Sequence, residues 1–148
     1  MDDLALHQAT GPAIAAVDLY AALCLRAAVF VVEQECTYLD PDGQDLHPST
    51  IHLWLAAPDG AMASYVRVLA EPGGGHRIGR VVTAPAHRGR RLAARLLDAA
   101  LTHCDGPVVL HAQSQLVGVY GRHGFVPDGA EFLDDGIPHT PMRLADRP

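Results

Sequence analysis

Apolar positions along this 148-residue chain change their period several times, and each change marks an element. After a short strand candidate, Leu4-Ala5-Leu6-His7, the pair Gly11-Pro12 opens a helix with proline in its first turn. Val17, Tyr20, Ala21, Cys24, Ala27, Ala28 and Val31 follow helical spacing and predict a helix ending near Glu33-Gln34. Cys36 to Ser49, rich in Asp, Pro and Gly, reads as a loop. Ile51 to Ala56 and Ala61 to Leu69 read as strands about the hairpin turn Pro58-Asp59-Gly60, and Pro72-Gly73-Gly74-Gly75 turns into another strand, Arg77 to Thr83. Helical spacing returns at Leu92, Leu96, Leu97, Ala100 and Leu101 and is broken at Gly106-Pro107. Val108 to Ala112 is a buried-strand pattern, and a short helix over Gln115 to His123 ends at Gly124. Short strands joined by Pro127-Asp128-Gly129 and Asp135-Gly136 fill Phe125 to Leu144. The order β-α-β-β-β-α-β-α-β predicts an α/β (α+β) mixed sheet with helices on both faces.

Composition narrows the class. The chain is expected to form a single domain over residues 1–148, long enough for a hydrophobic core. No charge-free apolar run approaches the roughly 18 residues of a membrane span, and Met1-Asp2-Asp3 is acidic where a secretory signal is basic. Cys24, Cys36 and Cys104 have no metal or redox spacing and read as reduced thiols, so the expected location is cytoplasmic, without membrane attachment. A formal net charge of −6 argues against nucleic-acid binding. The sequence has no lysine and no asparagine; every basic side chain apart from histidine is arginine.

Against this acidic background, Arg88-Gly89-Arg90-Arg91 concentrates positive charge between a β-branched strand and an apolar helix. Backbone amides at such a strand-turn-helix junction point at phosphate, and the arginines add to that field. The segment Arg88-Gly89-Arg90-Arg91-Leu92-Ala93 resembles the acetyl-coenzyme A site of the GNAT N-acetyltransferase superfamily, whose pattern is Gln/Arg-x-x-Gly-x-Gly/Ala. Arg88 and Ala93 match its ends, and Arg91 stands where the family has glycine. A side chain there disfavours positive φ and sits beside the pyrophosphate. Tyr120-Gly121-Arg122-His123-Gly124-Phe125 is similar to the family's Tyr-x-x-x-Gly-Phe segment, with Gln113 at a common polar position. Leu25 to Cys36, Asp40-Pro41-Asp42-Gly43-Gln44-Asp45 and Asp134-Asp135-Gly136-Ile137-Pro138-His139 resemble the ElaA-like subgroup.

The resemblance implies a mostly antiparallel GNAT sheet splayed between its fourth and fifth strands, here Arg77–Thr83 and Val108–Ala112. It implies acetyl-coenzyme A as cosubstrate, with its pantetheine paired to backbone groups of Val81, Val82 and Thr83. The Val82 amide is the first choice for polarising the thioester carbonyl. Gly89, Arg90, Arg91, Leu92 and Ala93 would hold the pyrophosphate with Arg88, and Gln113 would line the cofactor's other end. Tyr120 is the implied general acid, since a phenol stays protonated at neutral pH. Candidates for the base are Glu33 and Glu35 at the end of the first helix and His52 and His111 on strands; Glu33 leads, His111 follows, and water is a further route. The expected function is N-acyl transfer to a small-molecule or peptide amine by a monomer or homodimer. The alternative is a coenzyme A-binding module with little or no catalysis. No metal is expected: Asp40-x-Asp42-Gly43-x-Asp45 is similar to a calcium loop but lacks its distal glutamate, and His47 and His52 have no partner at zinc spacing. Cys36 is expected to be a surface or half-buried thiol.

Overall fold

The computed structural model describes residues 3–145. Its centre is an eight-stranded sheet in the order β1-β2-β3-β4-β5-β8-β6, with β7 also paired to β8. These strands are β1 (Ala5–Thr10), β2 (Ile51–Ala56), β3 (Met62–Ala70), β4 (His76–Thr83), β5 (Val108–Gln113), β6 (Phe125–Pro127), β7 (Phe132–Asp134) and β8 (Ile137–Leu144). The helices are α1 (Ala16–Arg26), α2 (Leu92–Leu101) and α3 (Val117–Gly121). The α/β reading of the sequence therefore holds, including the mostly antiparallel sheet. Among the described residues no helix is long and apolar enough to cross a membrane.

Two apolar layers sandwich the sheet. Leu92, Leu96, Leu97 and Ala100 of α2 bury against Leu53, Val66, Ile78, Leu110 and Met142. Truncating Leu96 or Leu97, each at most 1% exposed, would leave a cavity costing about 2–5 kcal/mol. On the opposite face Ala22, Leu25 and Val29 pack on Trp54, Tyr65 and Val82.

The first helix departs from its sequence pattern in two ways. Gly11-Pro12 opens only a separate 3₁₀ turn, Gly11–Ala13, with Ile14 and Ala15 extended before the helix starts at Ala16, and after Arg26 the helix widens into a π-helix over Ala27–Glu33. The amide of Gln34 accordingly bonds the carbonyl of Val29, five residues back. Its inner face also differs: Val17 and Tyr20 are 74% and 71% exposed, whereas Arg26 is fully buried. The polar partners of Arg26 in the following loop, rather than apolar periodicity, set the rotation of this helix.

Those partners form a buried ionic cluster. Arg26 donates to Asp40 through Nε at 2.8 Å and to Asp45 through Nη1 at 2.7 Å. Arg67 on β3 reaches Asp42 and Asp45 at 2.7 and 3.0 Å, and Arg80 on β4 reaches Asp40 at 2.9 Å. The calcium-like spacing of Asp40, Asp42 and Asp45 thus directs three carboxylates at three guanidinium groups. His52 lies beneath them with both ring nitrogens engaged, Nδ1 by the Tyr65 hydroxyl and Nε2 by the Asp45 carbonyl at 2.8 Å. Burial lowers its pKa, and it has no nitrogen left for a substrate proton.

Two features of β4 shape the functional region. Tyr65 pairs with Val82 and Arg67 with Gly79, so Arg80 and Val81 together oppose Val66 alone. This is a β-bulge, and Arg80 takes φ 53° to make it. Beyond it β4 bends away from β5: their parallel pairing covers only His76–Val108 and Arg77–Val109.

Candidate active site

The divergence of β4 and β5 opens a cleft of about 620 Å³. Its walls include Val81, Val82 and Thr83 of β4, His111 and Gln113 of β5, Tyr120 of α3, and Arg88 and Ala93 at the start of α2. Sequence positions more than a hundred residues apart, from Val29 to His139, meet around one gap.

Register decides which peptide groups face that gap. The Val82 carbonyl accepts a hydrogen bond from Ser64 Oγ at 2.8 Å, and the Ala84 amide bonds the Ala63 carbonyl at 2.9 Å. Both groups point toward β3. Peptide groups alternate along a strand, so those of Val81 and Thr83 turn toward β5 and the cleft. The Val82 peptide, the first choice on the resemblance, therefore faces β3, and those of Val81 and Thr83 face the gap.

At the cleft's other wall α2 begins without a side-chain cap, its N-cap position held by Arg91. Its first intrahelical bond from a residue inside the helix is Arg95 N–H to Arg91 C=O at 3.2 Å, leaving the amides of Leu92, Ala93 and Ala94 aimed outward. Gly89 supplies φ 81° in the preceding turn. Arg91 takes φ 56° and ψ 34°, the left-handed conformation that glycine adopts freely and other residues do not. The side chain at the glycine position was expected to oppose positive φ; the turn imposes that conformation anyway. Arg91→Gly is therefore expected to raise stability by up to about 1 kcal/mol, read as a higher urea midpoint at unchanged slope.

Tyr120 is only 8% exposed, and its ring packs edge-on against Phe125 at 6.3 Å. Its hydroxyl has no hydrogen-bond partner among the described residues. Burial pushes its pKa up to about 12, so it carries its proton throughout the neutral range. Gln113 donates through Nε2 to Gln34 Oε1 at 3.1 Å, joining β5 to the end of the π-helix across the cleft. Gln34 had no distinguishing sequence signal beyond its neighbours.

The candidate bases separate. Glu33 is held by both oxygens to Arg88 at 2.8 Å each. That bidentate contact lowers its carboxyl pKa, and the residue is not among those lining the cleft. Glu35 sits at φ 57° where the π-helix ends; it is not itself a lining residue, although Gln34 and Cys36 on either side of it are. His111 does line the cleft, with Phe132 edge-on at 4.9 Å; burial first and Arg77 second lower its pKa. Cys36 is buried at 7% exposure rather than at the surface, and burial with the nearby Asp135 and Asp134 raises its pKa. It lines the cleft as a protonated thiol.

A bent fourth strand, a cleft beside it and an uncapped helix start define an acyl-transferase-like fold. The family model for the acetyltransferase (GNAT) domain matches residues 31–145. A UPF0039 protein of Mycobacterium tuberculosis is 50% identical over 128 residues, covering 84% of this chain and 82% of the relative. ElaA of Escherichia coli is 40% identical over 134 residues, covering 84% of this chain and 85% of ElaA. The crystal structure of an acyl-CoA N-acyltransferase from Pseudomonas aeruginosa superposes with a TM-score of 0.89 at 41% identity, covering 96% of this chain and 99% of that one. The crystal structure of Escherichia coli ElaA gives the same TM-score, 0.89. The chain belongs to the GNAT acetyltransferase family, and ElaA is among its homologues.

Proposed function

We propose that the protein is an acetyl-coenzyme A-dependent N-acyltransferase, acting as a single domain in the cytoplasm on an amine acceptor. The observation that carries this reading is the cleft itself: β4 and β5 part where the free amides of α2 and the unpartnered hydroxyl of Tyr120 converge on one gap. In this reading the pyrophosphate sits on the amides of Gly89 to Ala93, with Arg90 and Arg91 adding charge. Arg88 joins them by exchanging Glu33 for phosphate. The pantetheine lies along Val81 and Thr83, and one of their amides donates to the thioester oxygen as charge develops there. A neutral amine attacks the thioester carbon, the C–N bond forms as C–S breaks, and Tyr120 protonates the departing thiolate.

Coenzyme A at about 100 times its dissociation constant should stabilise the fold by roughly 2.7 kcal/mol, seen as a raised melting temperature. Release of free thiol from acetyl-coenzyme A in the presence of amines then separates the enzyme from a binder. A melting point unmoved by millimolar coenzyme A would remove the proposal. A shift without thiol release would favour the binding module, which the engagement of Arg88 by Glu33 supports.

A further inference from the structure

The charged side chains lining the cleft divide unequally. Arg77 is paired with Glu71 at 2.8 Å, Arg80 with Asp40 at 2.9 Å and Arg88 with Glu33 at 2.8 Å. Asp134 and Asp135, at the tip of the β7–β8 hairpin, line the same cleft and have no ion pair or side-chain hydrogen bond among the described residues. The unpaired charge of the cleft wall is therefore negative. The same cleft is lined by Tyr120, 8% exposed, whose hydroxyl has no hydrogen-bond partner among the described residues.

Beside these carboxylates lies His139. It pairs with Gln113 across β5 and β8 and also lines the cleft. Its Nδ1 is 2.8 Å from the Ile137 carbonyl. A carbonyl oxygen only accepts, so Nδ1 carries the hydrogen and the neutral ring presents its lone pair at Nε2. The Phe132 ring stacks on His139 at 5.8 Å and meets His111 edge-on, which fixes the plane of the imidazole. No residue among those described engages Nε2.

We infer that the hairpin tip and His139 form the acceptor site, that His139 Nε2 is the general base, and that the acceptor is a primary amine bearing a second cationic group. This rests on the acyltransferase reading above. The reacting nitrogen must become neutral before it attacks, so a carboxylate pair helps only a charge that the reaction leaves in place. One proton passes from the ammonium to Nε2 and on to solvent. The amine lone pair then forms the C–N bond while the C–S electron pair leaves with sulfur. Tyr120 gives its proton to that thiolate and is reprotonated by the proton shed from the new amide nitrogen.

The test uses the intact protein with acetyl-coenzyme A and four probes: putrescine and cadaverine against butylamine and pentylamine. Putrescine and cadaverine should be the better acceptors, and Asp134→Asn/Asp135→Asn should lower their kcat/KM about tenfold, the worth of one lost charge contact, while sparing the monoamines. His139→Asn keeps a donor for the Ile137 carbonyl and removes the base. It should lower kcat about 100-fold at neutral pH without altering the melting shift given by coenzyme A. Its activity should recover as pH rises toward the amine's own pKa of about 10. His111 on β5 is the titratable neighbour coupled to His139, and Arg77 on β4 with its partner Glu71 and Asp134 on β7 act on that same His111. His103→Asn, outside the cleft and bonded to Gln8, is the control and should leave that profile in place. Equal turnover of diamines and monoamines, or a His139→Asn enzyme as active as the parent, overturns the assignment. So does a failure to acetylate any of the four probes in protein still stabilised by coenzyme A. Loss of that stabilisation would instead overturn the cofactor reading beneath it.

Discussion

Tyr120→Phe is expected to lower kcat by roughly two to three orders of magnitude while leaving coenzyme A affinity and folding stability nearly unchanged. The expectation follows from what the hydroxyl touches. It makes no hydrogen bond to the described protein, so its removal leaves no protein group unsatisfied. The ring, which packs on Phe125 and the α2-side core, is retained in phenylalanine. What disappears is a buried phenolic proton donor on the cleft wall that stays protonated throughout the neutral range. Steady-state thiol release measures the first effect; a melting titration with coenzyme A measures the second. A variant with full turnover would remove Tyr120 from the chemistry. One that lost binding and turnover together would assign it to packing.

Arg26→Ala is expected to destabilise the fold by about 3–5 kcal/mol, a large share of what holds a domain this size together. Arg26 is fully buried and bonds both Asp40 and Asp45, sharing the first with Arg80 and the second with Arg67. Without it, two carboxylates at 3% and 7% exposure remain in the interior. Urea unfolding reads the loss directly, and a variant within about 1 kcal/mol of the parent would show that the carboxylates find water or other partners. The same cluster sets an acid limit. Burial alone would raise the Asp42 pKa, but Arg67, the Gln44 amide and Arg80 overcome it and hold the carboxyl down at about 2; Asp45 is lowered by Arg26 and Arg67. A depressed folded-state pKa contributes stability that is fully present above the unfolded value, near 3.8, and is lost as pH falls toward 2. Melting temperature should therefore drop steeply between about pH 4 and pH 2, and the drop should flatten in Arg67→Met, which gives up much of that pairing beforehand.

The elements that carry the candidate site were legible because their signals are local. Strand, turn and helix succeed one another from Arg77 to Leu101 within one stretch of sequence. Arg88, Ala93 and Tyr120, singled out by the family resemblance, line the cleft, whereas Gly89, Arg90, Arg91 and Leu92 are not among its lining residues. The rotation of α1 was not legible. Val17 and Tyr20 belong to an apolar stripe but face solvent, because Arg26 is drawn inward by Asp40 and Asp45, 14 and 19 residues later. Glu33 looked like a free carboxylate at a helix end; Arg88, 55 residues away, claims both its oxygens. His139 offered only a resemblance in sequence, since the tautomer that exposes Nε2 depends on where the Ile137 carbonyl lies.

By itself, then, the sequence determined the order of strands and helices, the family, and the positively charged turn that opens α2, because periodicity, turn residues and short motifs act between neighbours in the chain. Only the tertiary structure decided which peptide groups face the gap, which arginines are already paired and which carboxylates are left free. Those depend on a one-residue bulge at Arg80 and on ion pairs closed across long loops, and such contacts exist only once the sheet has brought distant residues together.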